Sequence, residues 1–138
     1  MNQNLLFHGA ASEVITPFTS EGVIDFELLG EEIEYLIKNQ VTGVFANGLA
    51  SEALMLSTDQ RVEVVKTAVR VAGGRIPVVG NLLYNSVDLA VDCVRQYEAC
   101  GCDAIIITPP LIYKYTEDGL YHFFADIARE TKLPVYLY

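Results

Sequence analysis

The chain has 138 residues, 51% of them hydrophobic and 20% charged, with a formal net charge of −9 at pH 7. This length and composition are typical of a single globular domain with a buried core. The negative charge argues against a nucleic-acid partner, because affinity for a phosphate backbone depends on clustered Lys and Arg, and the sequence has no such cluster. An anionic small substrate is compatible with the charge, since backbone N–H groups at helix N-termini bind carboxylates.

Sequence features also argue against a membrane or metal partner. Most apolar runs are too short to cross a bilayer, and the N-terminus lacks the residue order of a signal peptide, so we expect a cytoplasmic protein. Cys93, Cys100 and Cys102 do not match a zinc or redox spacing, and we expect buried free thiols in a reducing compartment. His8 and His122 have no second ligand at a supporting spacing, so we expect no metal site and no cofactor.

Five short apolar runs bounded by turn residues predict five strands. Longer stretches with the spacing of amphipathic helices separate them, so strand and helix alternate four times before the fifth strand. Strands that are apolar throughout are buried on both faces, which here indicates parallel strands with helices packed outside. This pattern fits a (β/α) barrel or a doubly wound sheet. The predicted strands span Ser12–Pro17, Gly43–Asn47, Ile76–Gly80, Ala104–Pro109 and Pro134–Tyr138.

The helix boundaries are predicted from capping residues. Acidic residues follow each candidate N-cap, and glycines stand where the first three helices are expected to end. The last apolar run ends on Tyr138 with no connection after it, so we expect the chain to cover the front part of a larger fold. The candidate N-caps are Asp25, Thr58 or Asp59, Ser86 and Thr116, and the candidate helix ends are Gly43, Gly73 with Gly74, and Gly101.

Several polar side chains are predicted to be structural. Tyr97 falls on a helix face and is expected to pack there with its hydroxyl at the surface. Thr16 and Thr108 precede prolines, and we expect their hydroxyls to bond to neighbouring backbone, with substrate contact as the alternative. Glu52 is expected to tie its loop to the backbone.

Nine short segments follow one another in a familiar order, namely Val14–Phe18, Gly22–Asp25, Gly43–Gly48, Ser51–Glu52, Leu56–Arg61, Ile76–Gly80, Thr108–Pro110, Asp118–Tyr121 and Leu133–Tyr138. Together they resemble the dihydrodipicolinate synthase and N-acetylneuraminate lyase family, collinearly over nearly the whole chain. The resemblance implies a TIM barrel of about eight β/α units, close to twice this length. Residues 1–138 are then the N-terminal portion of a single TIM-barrel domain, with four βα units and the fifth strand.

The resemblance also implies a reaction. Members are class I lyases or aldolases that act on pyruvate or a related 2-keto acid through a Schiff base to a lysine on the sixth strand. That strand is outside this sequence, and Lys38, Lys66, Lys114 and Lys132 do not align with the nucleophile. We therefore expect the chain alone to be inactive.

One catalytic position carries over from the family. Tyr138 matches the tyrosine that relays protons to and from the keto acid, a task that suits a phenol because it both donates and accepts. The substrate-binding positions depart from the family. Where members have Gly-Thr-Thr-Gly-Glu or Gly-Ser-Thr-Gly-Glu, Leu49 and Ala50 replace the two hydroxyl residues that help to hold the substrate carboxylate, and Ser51 is a partial substitute. After the fourth strand, Tyr113 or Ile112 aligns with a tyrosine that members insert from a neighbouring subunit.

These departures leave alternatives open. The residues Asn81–Tyr84 after the third strand are expected to add bulk at the mouth of the barrel. The full protein is either a family lyase for a different, bulkier or less acidic 2-keto acid, or a paralogue that has lost the reaction. A rival of another class is a non-catalytic half-barrel that serves as an interaction module. Open strand edges and exposed core favour a homo-oligomer in each case.

Overall fold

The computed structural model describes residue 6 and residues 8–138. Strands and helices alternate along the chain, with one turn of 3-10 helix at Ala53–Met55. The strands are β1 (Ala11–Glu13), β2 (Gly43–Ala46), β3 (Val78–Leu82), β4 (Ala104–Ile107) and β5 (Val135–Leu137), and the helices are α1 (Phe26–Lys38), α2 (Thr58–Ala72), α3 (Val87–Ala99) and α4 (Glu117–Arg129).

The five strands form one parallel sheet in the order β1-β2-β3-β4-β5. One face is buried against the helices, where side chains such as Val44, Val78 and Ile105 are almost completely inaccessible. The opposite, concave face carries Phe45 and Tyr136 and lines an open apolar cavity of about 200 Å³. Sequential parallel strands with helices on the outside confirm the predicted α/β half-barrel, with four βα units and a fifth strand.

Three strands differ from their predicted bounds by more than one residue, and one of them is β4, which ends at Ile107 and not at Pro109. β1 ends at Glu13 and not at Pro17, because the N–H of Ile15 donates to Oε1 of Glu32 and not to β2, and the carbonyl of Pro17 accepts a hydrogen bond from the N–H of Asp25, 2.8 Å away. β3 begins at Val78, after Pro77, which has no N–H to donate to a strand ladder. It then continues to Leu82, two residues beyond the predicted end.

The helix caps are largely as predicted. Asp25, Ser86 and Thr116 each accept a hydrogen bond from a backbone N–H of the first turn. The prediction for α2 was wrong: Ser57, not Thr58 or Asp59, is the N-cap and forms a capping box with Gln60.

At the other ends of the helices, glycine is used once as a cap. Gly73 is the C-cap of α2, with a left-handed φ of 56°. Gly101 follows the C-cap of α3 at Cys100. Gly43 does not end α1, because Asn39 is its C-cap and Gly43 is already the first residue of β2.

A buried polar cluster joins β2, α2, β3 and α3. Tyr97 is completely buried, so the prediction of a surface hydroxyl was wrong. Its hydroxyl accepts a hydrogen bond from Nδ2 of Asn47 at 2.6 Å, and Nδ2 also donates to the carbonyl of Arg61 at 2.9 Å. The guanidinium of Arg61 donates to the carbonyl of Leu83 at 2.8 Å and lies 4.5 Å from the ring centre of Tyr84. These contacts fix the carboxyl ends of β2 and β3, where the candidate site lies.

Cys93 and Cys102 are buried and Cys100 is half-buried, and all three are free. Burial raises the pKa of the Cys102 thiol to about 12. Across residues 8–138, every helix is too short or too polar to cross a membrane.

Candidate functional site

Polar side chains lie at the carboxyl ends of the strands, above the apolar cavity of the concave face. Glu13 ends β1 and pairs in register with Phe45, which lines the cavity. Asn81 lies near the end of β3 and pairs with Ile106, which lines the same cavity. Partners in a parallel ladder point to the same face of the sheet, so Glu13 and Asn81 share the concave side. This is the edge at which TIM barrels hold their reacting groups.

The loop after β2 is a tight turn with an apolar tip. Asn47 and Glu52, which flank it, both have left-handed backbone angles, with φ of 63° and 57°. The hydroxyl of Ser51 is buried and donates to the carbonyl of Gly48 at 2.8 Å. Leu49 and Ala50 form the exposed tip, so the structure separates them from the inward-facing Ser51.

Sequence reasoning missed the contact that anchors this loop. Oε1 of Glu13 accepts a hydrogen bond from the N–H of Ser51 at 2.9 Å. Glu52, which was expected to tie the loop down, is exposed and forms no side-chain hydrogen bond to the described residues. The tie therefore comes from β1. An acidic residue inside an otherwise apolar run is the feature of the sequence that points to it.

Asn81 and Thr108 form a buried pair across β3 and β4. The hydroxyl of Thr108 donates to Oδ1 of Asn81 at 3.0 Å, and both residues are almost fully buried. We expected the Thr108 hydroxyl to bond to neighbouring backbone, and this was wrong, because it bonds to a side chain. The expected bulk at the mouth is wrong for Leu82, which packs into the core on the helix side, and for Tyr84, which packs against that core with its hydroxyl 3.1 Å from that of Thr58. Leu83 is buried but is not part of that core, so its bulk at the mouth stays a prediction. The hydroxyl of Thr16 is buried without a partner among the described residues, against the expectation of a backbone bond.

The loop after β4 is held at one point and otherwise exposed. The N–H of Leu111 donates to Oδ1 of Asn85, 2.8 Å away, which ties this loop to the one after β3. Ile112 and Tyr113 are 68% and 73% exposed. The structure therefore leaves Tyr113 accessible to solvent, and its assignment to substrate binding stays a prediction.

Tyr138 extends the fifth strand along β4. Its N–H donates to the carbonyl of Ile107 at 3.1 Å. The residue is 68% exposed and lines the apolar cavity together with Tyr136. A phenol at this point stands at the carboxyl edge of the sheet, as Glu13 does, and its catalytic assignment stays a prediction.

Comparison with known proteins identifies the family. Residues 6–138 match the Dihydrodipicolinate synthetase family. The chain belongs to this family. It is 33% identical to the 4-hydroxy-tetrahydrodipicolinate synthase of Bacillus subtilis over 132 residues, which are 96% of the chain and 46% of that protein.

Solved structures of the dihydrodipicolinate synthetase family confirm the fold. The chloride-inhibited dihydrodipicolinate synthase of Acinetobacter baumannii, complexed with pyruvate, superposes with a TM-score of 0.91 at 31% identity, covering 94% of this chain and 45% of that one. A prophage protein of the family from E. coli K12, in complex with pyruvate, gives a TM-score of 0.93 at 28% identity, covering 97% and 45%. The chain spans about half the length of the relatives it matches.

The lysines of this family member all lie at the surface. Lys38, Lys66, Lys114 and Lys132 are exposed. Lys66 donates to Oε1 of Glu63 at 2.6 Å, and this bond raises the pKa of its ammonium group. A lysine that forms a Schiff base has to lose its proton, which burial near apolar groups favours and an ion pair opposes.

Proposed function

We propose that the chain forms the N-terminal half of a Schiff-base lyase or aldolase barrel that acts on pyruvate or a related 2-keto acid. The observation that carries this proposal is the family match over residues 6–138, supported by two structural neighbours whose complexes contain pyruvate. Residues 1–138 then belong to a single TIM-barrel domain, and the apolar cavity on the concave face is part of its interior.

In this proposal the amine of a lysine outside the chain attacks the keto carbon of the substrate. The carbinolamine that forms loses water and becomes a protonated imine. In cleavage this imine accepts the electron pair of the carbon–carbon bond that breaks, and in addition it first loses a proton to give an enamine, whose electron pair forms the new bond. Tyr138 supplies and removes protons at the carbinolamine through its phenol. None of the four exposed lysines takes the nucleophile's role, so the chain alone has no activity.

Reductive trapping tests the proposal. The chain is joined to the C-terminal half of the Bacillus subtilis relative, incubated with pyruvate and, in parallel, with its neutral amide, and then reduced with borohydride. We expect a mass gain equal to the reduced imine with at least one compound, on a lysine of the added half. The chain alone should gain no mass, and a hybrid with that lysine changed to alanine is the matched control. Trapping on Lys38, Lys66, Lys114 or Lys132 would contradict the proposal.

Tyr138→Phe in the same hybrid tests the proton relay. The substitution removes the phenolic hydroxyl and keeps the ring. We expect turnover to fall about a hundredfold or more, because a positioned acid–base group typically accelerates a reaction by at least that factor. Tyr136→Phe, one strand period away, is the control and should leave turnover unchanged. Equal rates for the two variants would remove Tyr138 from the mechanism.

A further inference from the structure

The carboxylate of Glu13 lies on the concave face of the sheet, beside the apolar cavity. Two residues earlier, Ala11 lines the apolar cavity, and the ladder partner of Glu13, Phe45, lines it as well. A charged group beside such a surface gives up part of its hydration, and this costs free energy unless a hydrogen bond compensates. The compensating bond is the one from the N–H of Ser51, 38 residues further along the chain.

The backbone at Gly48 is shaped around this carboxylate. A Cβ at Gly48 would lie less than 3.0 Å from both oxygens of Glu13 and from its Cδ. No positive φ is involved at this position, so a side chain at residue 48 would displace the Glu13 carboxylate without straining the backbone. The carboxylate of Glu13 therefore rests against the backbone of the loop and also accepts one of its N–H groups.

The loop after β2 has the features of a turn that binds a carboxylate. In this chain the bound carboxylate is the side chain of Glu13. Backbone N–H groups of tight turns at the carboxyl edge of a parallel sheet bind anions. Here the N–H of Ser51 already donates to an anion, the carboxylate of Glu13. The N–H groups of Leu49 and Ala50 belong to the same turn, so a ligand carboxylate placed on them would lie beside the charge of Glu13 and be repelled.

We propose that Glu13 turns the β2 loop from a site for a substrate carboxylate into a site for a hydrogen-bond donor. Oε2 of Glu13 forms no hydrogen bond to the described residues, so it can accept a hydrogen bond from a ligand. The ligand is a derivative of a 2-keto acid that carries a neutral amide where pyruvate carries its carboxylate, and this narrows the substrate class of the proposed function. The reaction of this ligand rests on the proposed function, whereas its preference at Glu13 is a matter of binding alone.

Backbone NMR of the ¹⁵N-labelled 138-residue chain tests this preference at the Ser51 amide. The probes are pyruvate and pyruvamide, which have the same shape and differ in charge and in the donated N–H. We expect pyruvamide to shift the Ser51 resonance and pyruvate to bind at least about tenfold more weakly, because of the repulsion at short range. In Glu13→Ala the order should reverse, since the Ser51 N–H is then free for a ligand carboxylate.

Three further variants separate charge from shape. Glu13→Gln keeps an oxygen acceptor and removes the charge, so it should gain affinity for pyruvate. Gly48→Ala displaces the carboxylate and keeps the acid, so it should free the Ser51 N–H and act as a second route if Glu13→Ala does not fold. Glu52→Ala removes an exposed carboxylate of the same loop and should behave as the unaltered chain.

The outcomes distinguish this proposal from the proposed function. Equal affinity for pyruvate in the unaltered chain and in Glu13→Gln, or no shift at Ser51 with either probe in any variant, would overturn the role of Glu13. In the hybrid barrel, equal trapping of pyruvate with and without Glu13 would do the same and leave the lyase assignment intact. Absence of trapping with both compounds in all hybrids counts against the lyase assignment, while the Ser51 resonance still decides the role of Glu13.

Discussion

Glu32 shows how one side chain on α1 supports the start of the barrel. Its Oε1 accepts a hydrogen bond from the N–H of Ile15, 3.1 Å away, just after β1. Its Oε2 is buried and has no partner among the described residues. Burial raises the pKa of Glu32 above its ordinary value of 4.5, and the bond from Ile15 opposes this shift in part. The folded state therefore favours the protonated carboxyl group.

The pKa of Glu32 predicts a pH dependence of stability. Because the folded pKa is raised, the contribution of this group is fully present below pH 4.5 and is lost as the pH rises through the folded pKa. Glu32→Gln keeps a neutral group at all pH values, so its stability relative to the unaltered chain should grow between pH 4 and pH 7. Denaturant unfolding across this range measures the difference, with Glu31→Gln as the exposed control. A difference that does not change with pH would contradict the prediction.

At the same scale, the sequence indicated which residues occupy the catalytic edge but not how they are held. Leu49, Ala50 and Tyr138 were located by their order along the family's motifs. Glu13 was not, because its partner Ser51 is 38 residues away and only the fold brings the two together. Tyr97 was missed for a similar reason: its hydroxyl meets Asn47 across 50 residues. Contacts of this length leave no periodic pattern in a sequence.

At the scale of elements, α3 packs on β3 at a point where no side chain fits. The ring of Tyr97 lies over Gly80, and a Cβ at Gly80 would be 2.5 Å from its nearest ring carbon. The ring cannot retreat easily, since it is completely buried and its hydroxyl is bonded to Asn47. The close approach of helix and sheet here depends on the absence of a side chain at residue 80.

Gly80→Ala should therefore destabilise the chain. Overpacking of this kind costs about 1 to 3 kcal/mol of unfolding free energy. Gly30→Ala is the matched control, because its Cβ would meet only Val71 at an ordinary contact of 3.4 Å and because alanine favours a helix. Chemical denaturation of both variants measures the effect. Similar stability for the two would show that α3 is free to move away from β3.

The alternation of elements was predictable, and some of their ends were not. Strands of a parallel sheet appear as continuous apolar runs, so all five were found, although β1 and β5 are only partly buried within the described chain. The ends of β1, β3 and β4 were misplaced. β1 stops early because the N–H of Ile15 bonds to Glu32 and not to a strand, and β3 starts late because Pro77 has no N–H to donate to a ladder. The cap of α2 lies among Ser57, Thr58 and Asp59, and the Gln60 that completes the box with Ser57 decides between them.

At the scale of the whole molecule, the sheet has two open edges and a concave apolar face. Within the described chain, β1 and β5 each pair on one side only. Tyr136, Leu137 and Tyr138 are exposed at one of these edges and line the apolar cavity. Unpaired strands beside exposed apolar surface favour association.

We therefore predict that the isolated chain self-associates. Size-exclusion chromatography with light scattering measures its mass, and Leu137→Lys, which places a charge on the open edge, should lower the associated fraction. Leu89→Lys is the control, since Leu89 is similarly exposed on α3, away from the sheet edge. A monomer at all concentrations would contradict the prediction.

The mass of the borohydride-reduced protein tests the central claim most directly, that this chain supplies half of a Schiff-base barrel and the other half supplies the amine. The account predicts an adduct of pyruvate or of its amide on the added half of the hybrid, and an unchanged mass for the 138-residue chain alone. An adduct on one of the four lysines of this chain, or a folded hybrid that traps neither compound, would contradict it.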